Sequence, residues 1–218
     1  MPSFPQAHVP DHPLISHHIA KCRHKDTGTI EFRAAVVALG QHLTYECCRD
    51  WLPTQETSVP TPLGVETPGR VVDSTKQVEI VPILRAGLAL VEGCLPLLPE
   101  AKILHVGYRR DEETAQATCY LTRLPARLPT DARFLILEPM LATGGTLIQV
   151  LDSMRASGAR PELVRVVSLI ASEPALKRIA AKYPEVQIFC AAIDPIVDEN
   201  SFIVPGLGDA GDRAFGTE

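Results

Sequence analysis

RFLILEPMLATGGTLIQVLDSMRASG, running from Arg133 to Gly158, contains a strand, a glycine turn and a helix in one piece. Phe134, Leu135, Ile136 and Leu137 form a continuous apolar run, the pattern of a central parallel strand covered on both faces. Leu147, Ile148, Leu151 and Met154 follow at helical spacing, and Gly158 is placed to end that helix. Between them lie Glu138-Pro139-Met140-Leu141-Ala142-Thr143-Gly144-Gly145-Thr146. A turn at the carboxyl end of a strand and the amino end of a helix presents backbone N–H groups, and the helix dipole suits it to a phosphate. Taken alone, the turn is equally well read as a tight strand-to-helix connection.

The surrounding chain repeats the alternation. Val78–Leu84 reads as a strand, Leu88–Leu98 as a helix, and Ile103–Val106 as a strand followed by the polar stretch Gly107–Thr114. Thr118–Thr122 fits a short strand. Beyond Gly158, Leu163–Ile170 reads as strand, Pro174–Lys182 as helix and Val186–Ile193 as strand. The expectation is an α/β fold, a parallel sheet with helices on both faces, whose ligands bind outside the carboxyl ends of the strands.

Upstream, residues 1–12 are rich in Pro and His and read as irregular. Pro13–Lys25 suits a short helix with Pro13 in its first turn. His17 and His18 lack an acidic or Cys partner at ligand spacing, so they read as a solvated face. Thr29–Trp51 carries the longest helical pattern, marked by Phe32, Val36, Leu39 and Leu43, with Thr27 and Thr29 as candidate N-caps. From Leu52 to Thr75, Pro53, Pro60, Pro62 and Pro68 alternate with Gly64, Gly69 and β-branched residues, which fits a projecting β-hairpin. The tail, Asp194–Glu218, reads as irregular and glycine-rich. One domain is expected: N-terminal helices over 1–51, an arm over 52–75, an α/β core over 76–193 and a C-terminal hood over 194–218.

Composition narrows the function. The chain has 218 residues, 45% of them apolar, which argues against disorder. A net charge of -5 argues against a nucleic-acid partner held by phosphate neutralisation. No apolar run approaches a membrane span, and MPSFPQAHVPDHP lacks the basic and apolar regions of a secretory signal. The six cysteines form no CxxC pair and read as buried free thiols of a cytoplasmic protein. Their spacing does not suit zinc.

Gly206-Leu207-Gly208-Asp209-Ala210-Gly211 matches GxGxxG but cannot be a dinucleotide fingerprint, because that motif opens a helix early in a βαβ unit. A glycine-rich segment still exposes backbone groups to a flat polar ligand. Thr143–Thr146 is not a Walker A loop, since no lysine precedes Thr146. Glu138 ends its strand, where a carboxylate can accept hydrogen bonds from two adjacent sugar hydroxyls. Arg85, Arg109 and Arg110 each follow an expected strand. Arg85, just before Ala86-Gly87, reads as an anion ligand, and Arg110 as a solvated partner of Asp111, Glu112 and Glu113. No nucleophile motif is present, so catalysis is expected to work by positioning and charge stabilisation.

Together, VPILRAG (Val81–Gly87), YRRDEET (Tyr108–Thr114), EPMLATGGT (Glu138–Thr146) and VPGLGDAGDRAFGT (Val204–Thr217) resemble the uracil phosphoribosyltransferases. HPL (His12–Leu14) and LTYE (Leu43–Glu46) match that family's N-terminal half, and the order and spacing agree over nearly the whole chain. The resemblance implies a type I phosphoribosyltransferase fold and conversion of uracil and 5-phosphoribosyl 1-diphosphate (PRPP) to UMP and diphosphate with Mg²⁺. It makes Glu138, Pro139, Met140, Leu141, Ala142, Thr143, Gly144, Gly145 and Thr146 the PRPP loop. Thr143–Thr146 hold the 5-phosphate, and Glu138 meets the ribose. Arg85 and Arg109 contact the diphosphate side. Ile203, Gly208 and Ala210 present backbone groups to uracil. Asp209 sits near PRPP, touches Mg²⁺ through water, and is a candidate acceptor for the uracil N1 proton. A homodimer or higher homo-oligomer is implied, with GTP control in some members.

One position departs from the family. It has Asp where this chain has Glu138, and the added methylene forces the carboxylate to retract or the ribose to shift. Retained activity with altered PRPP binding is expected. The loop around 123–132 is also slightly longer than in the family. The competing expectations are a catalytically weak or silent homologue and a pyrimidine-nucleotide-binding regulator with the same fold.

Overall fold

The structure, a computed structural model, describes residues 4–110 and 117–217. In chain order these form β1 (Ala7–His8), α1 (Pro13–Arg23), α2 (Thr29–Cys48), β2 (Thr54–Pro60), β3 (Glu66–Val72), β4 (Val78–Leu84) and α3 (Leu88–Cys94). Then follow β5 (Lys102–Ile103), β6 (Val106–Arg110), β7 (Ala117–Thr122), β8 (Arg133–Leu137), β9 (Met140–Leu141) and α4 (Gly145–Ala156). The last group is β10 (Val164–Ser172), α5 (Glu173–Lys182), β11 (Gln187–Asp194), β12 (Ile196–Val197), β13 (Ile203–Val204) and α6 (Ala210–Phe215).

The main sheet runs β1-β11-β10-β8-β4-β6-β7, with β5 extending the edge beside β4 and β9 beside β10. Every pairing is parallel except that of β6 with the edge strand β7. Strand β8 lies in the middle, and its alternate side chains serve two cores. Phe134 and Ile136 join Leu147, Leu151 and Met154 of α4 and Leu176 and Ile179 of α5 on one face. Leu135 and Leu137 join Phe32, Leu39 and Leu43 of α2 and Leu90 of α3 on the other. This two-sided burial is why the strand reads as unbroken apolar sequence rather than alternating. Helix α4 ends as expected: Gly158 takes φ +103° and its N–H bonds to the Arg155 carbonyl at 3.0 Å.

Several boundaries differ from the sequence reading. Helix α2 stops at Cys48 and its N-cap is Gly28. Thr27 turns back instead, donating its hydroxyl to the Lys21 carbonyl at 2.8 Å. Helix α3 ends at Cys94, short of Leu98. The strand expected over 103–106 is two pieces on one edge, and the second runs on to Arg110, so Arg109 and Arg110 lie within a strand rather than after it. Asp111–Thr114 lie outside the described residues. His18 is half-buried, with its ring 6.1 Å from that of His42, rather than fully solvated. The tail, read as irregular, contains β12, β13 and α6. Strands β2 and β3 form a separate exposed ribbon in register from Thr54↔Val72 to Pro60↔Glu66. All six cysteines are free, and of these Cys119 is exposed. No helix among the described residues is long and apolar enough to cross a membrane.

Candidate active site

The strand order reverses between β4 and β8. After β4 the chain moves outward to β6 and β7, and after β8 it moves the other way to β10 and β11. The carboxyl ends of β4 and β8 therefore stand side by side with their loops parting in opposite directions, which opens a crevice. Two adjoining cavities lie there. One, of about 80 Å³, is lined by Glu138 and Met140–Leu147. The other, of about 210 Å³, is lined by Ala86, by Glu138, Met140 and Ala142, and by hood residues from Ser201 to Gly211. Depressions of about 480 Å³ and 660 Å³ exist elsewhere, but both lie at the amino ends of strands, beside Gln77–Val78 and beside Ala7 and Gln187. Size favours them; topology favours the smaller pair, and topology is the better guide in an open α/β sheet.

The smaller cavity is a loop held from behind. Strand β10 supplies the anchors. The Pro139 carbonyl accepts from the Leu169 N–H at 3.0 Å, the Ile170 N–H at 3.1 Å and the Ser168 hydroxyl at 3.1 Å. The Ala142 carbonyl accepts from the Ser172 hydroxyl at 2.5 Å. These anchors hold the loop from its β10 side, and the N–H groups of the first turn of α4 that follows it have no intrahelical acceptor. Gly144, the N-cap of α4, takes φ +72°, and a Cβ there would press on the Ala175 carbonyl and Ile179 at 3.3 Å. Only glycine suits both the left-handed backbone and the close packing against α5. The Thr143 hydroxyl accepts from the Gly145 N–H at 3.4 Å.

Glu138 stands where the two cavities meet. The residue is half-buried. Burial pushes its carboxyl up to about 8, against the pull of a hydrogen bond from the Met140 N–H. Near neutral pH the group thus lies within reach of both its protonation states.

The larger cavity is closed by the hood. Strands β12 and β13 pair antiparallel, with Ile196 opposite Val204 and Val197 opposite Ile203, and so bring Ile203 over the crevice. Asp209 caps α6 by accepting the Asp212 N–H at 2.9 Å, and Gly216 ends that helix at φ +67°. Ile203, Gly208, Asp209 and Ala210 all line the cavity, as do Phe202 and Gly211. A shallow space walled by backbone and small residues fits a flat ring better than a bulky group.

The arginines divide. Arg85 follows β4 beside cavity-lining Ala86, and its guanidinium is exposed and paired with Asp212 at 3.1 Å. An exposed pair of this kind is worth about 0–1 kcal/mol, so an anionic ligand displaces it at little cost. Arg109 is exposed on β6, opposite Thr118 of β7, and lines neither cavity. Pro139 lies behind the loop rather than in it. Among the described residues, no group of three or more His, Cys, Asp or Glu side chains is arranged to hold a metal ion.

Residues 9–217 match the family model described as uracil phosphoribosyltransferase. The chain belongs to the uracil phosphoribosyltransferase family. A uracil phosphoribosyltransferase of Nostoc sp. is 48% identical over 212 residues, covering 97% of this chain and 98% of that relative. Among solved structures, the AQ2163 protein from Aquifex aeolicus superposes with a TM-score of 0.86 at 38% identity, over 96% of this chain and 97% of that one. Adenine phosphoribosyltransferase from Leishmania donovani superposes with a TM-score of 0.58 at 14% identity, over 90% of this chain and 87% of that one. At that identity the likeness speaks for the phosphoribosyltransferase fold alone.

Within this uracil phosphoribosyltransferase framework, sequence reasoning missed the groups that hold the loop and the hood in place. Ser168 and Ser172 interrupt the apolar run that follows Arg165 in strand β10. Such breaks inside a buried strand are a legible sign that a hydroxyl has backbone to satisfy. Ser201 and Phe202, at the cavity mouth, carried no comparable pattern.

Proposed function

We propose that this family member transfers the 5-phosphoribosyl group of PRPP to N1 of uracil, giving UMP and diphosphate in pyrimidine salvage. The observation that carries the reading is the shared wall. Glu138, Met140 and Ala142 line both the anion loop and the base cavity, so one ligand with a phosphate at one end and a ring at the other spans them with its sugar at Glu138.

In this reading Thr143–Thr146 hold the 5-phosphate, and the Glu138 carboxylate accepts hydrogen bonds from the ribose 2- and 3-hydroxyls. Ile203, Gly208 and Ala210 meet the uracil edge with backbone groups. The C1–oxygen bond breaks with its electron pair leaving on diphosphate, while the N1 pair forms the new C1–N bond. The N1 proton passes to Asp209, directly or through one water. Charge grows on the diphosphate as it leaves, and Arg85, with Arg109 on the neighbouring strand, answers it. Among the described residues no cluster forms a protein cage, so Mg²⁺ would be carried by substrate oxygens and water with a carboxylate such as Asp209 nearby, and would supply charge neutralisation for the leaving diphosphate. The exposed ribbon, with Leu63 90% and Val65 64% exposed, supports assembly into a homodimer or higher homo-oligomer.

The test is UMP formation from uracil and PRPP with Mg²⁺, with orotate and hypoxanthine as controls, run on the wild type and on Glu138→Asp. Turnover with uracil alone is expected, with a lower KM for PRPP in the variant. A wild type that binds no PRPP overturns the reading and leaves a silent homologue.

A further inference from the structure

Helix α1 and the hood are joined by two arginines that reach in opposite directions. Arg23, the last residue of α1, donates to both oxygens of Asp194, at 2.6 and 2.8 Å, and to the Gly206 carbonyl at 2.9 Å. Asp194, at the end of β11, is 3% exposed, and it also accepts the Gly206 N–H at 2.9 Å. Arg213, from α6, reaches back. It donates to the carbonyls of Leu207 at 2.7 Å, His24 at 2.8 Å, Thr27 at 3.4 Å and Cys22, with its guanidinium 4.4 Å from the Phe32 ring centre. The α1 carbonyls it meets lie at the helix end, where intrahelical donors run out.

Gly206 is the focus of the first contact, since both its N–H and its carbonyl are held by the ion pair. Its φ is +61°, and a Cβ would lie 2.0 Å from the Ile203 carbonyl oxygen. Three residues before it Ile203, and two after it Gly208, line the larger cavity, whereas Arg23, Asp194 and Gly206 do not. The fork of a guanidinium on a carboxylate admits one planar geometry, so the pair fixes direction as well as distance.

We propose that Arg23 and Asp194 are positioning residues for the base: through Gly206 they set the backbone of 203–208 to the geometry that reads the ring edge. This rests on the larger cavity being the base site. The two halves of the site are then held by separate devices. The anion loop hangs on Ser168 and Ser172 of β10, and the hood hangs on the Arg23–Asp194 pair. Disturbing the pair moves base recognition and leaves PRPP binding where it was.

Arg23→Lys keeps the charge and loses the fork. Asp194→Asn keeps an acceptor for Gly206 and loses the charge. Each is compared with wild type by varying uracil at saturating PRPP and PRPP at saturating uracil, with a thermal melt of every protein. The expected result is a rise in KM for uracil of about tenfold, as a misplaced contact produces, with KM for PRPP within about twofold, in at least one variant that melts cooperatively. A uracil KM unchanged in both folded variants, or both KM values rising together, overturns the proposal. If Arg23→Lys does not fold, Asp194→Asn decides alone; if neither folds, the pair is a folding element and the proposal is overturned. Wild-type turnover is read in the same series. Its absence overturns the base reading itself, a result distinct from unchanged variants of an active enzyme.

Discussion

The Ser172 hydroxyl joins two elements at once: it donates to the Ala142 carbonyl at 2.5 Å and accepts the Ala175 N–H at 3.0 Å, capping α5 while holding the anion loop. Ser172→Ala removes a helix cap worth about 1 kcal/mol. It also strands a carbonyl whose lost partner costs about 1–3 kcal/mol. Urea melts are expected to show a loss of about 2–4 kcal/mol. Steady-state kinetics are expected to show KM for PRPP raised several-fold with KM for uracil unchanged. An unchanged PRPP KM in the destabilised variant would mean the loop keeps its shape without this contact.

The raised Glu138 carboxyl is expected to make both stability and, in its proposed role at the ribose, PRPP binding depend on pH. Its folded value of about 8 lies above the ordinary 4.5, so between the two the folded protein holds a proton that the unfolded chain does not. The stability from that proton is complete below 4.5 and is lost as pH rises through about 8. Glu138→Gln lacks the titration, so its melting temperature is expected to gain on wild type between pH 5 and pH 9. Ribose hydroxyls favour the ionised acceptor, and PRPP affinity of the wild type relative to Glu138→Gln is expected to rise toward pH 8 and level off, by at most about tenfold per unit. A ratio that stays flat over this range sinks the assignment, and using the ratio cancels the titration of PRPP itself.

Asp209 has a capping role and a proposed chemical one, and a single substitution separates them. Asparagine caps a helix about as well as aspartate, so Asp209→Asn is expected to keep the bond from the Asp212 N–H and melt like wild type. It cannot take the N1 proton, and kcat is expected to fall about 10²-fold or more. Turnover equal to wild type removes Asp209 as the acceptor.

Legibility in this chain followed the range of the interactions. Phe134–Leu137 announced a central strand because burial on both faces leaves no polar alternation, and the glycines at 144 and 145 located the loop. The hood was expected, but its regular elements were missed because β12 and β13 are two residues each and α6 is six, too short for any period to register. Its one local signal was Asp209 three residues before Asp212, with Gly216 closing the helix. Arg109 was misplaced because β6 owes its length to antiparallel pairing with β7, a partner the local sequence does not reveal. Arg23 and Asp194 stand 171 residues apart, and no local pattern couples them. The longer carboxylate at 138 was visible as a departure, but its effect on proton affinity depends on burial that only the fold supplies.

The larger cavity takes one wall from Ala86 and another from residues 201–203 and 208–211. During synthesis, the loop Glu138–Thr146 leaves the ribosome well before that second wall does, and the last main-sheet strand, ending at Asp194, leaves shortly before it. On the proposed assignment of the two cavities, the nascent chain would acquire its phosphate grip before its ability to choose among bases. A polypeptide released before Ser201 would carry every strand of the main sheet and no means of selecting its acceptor.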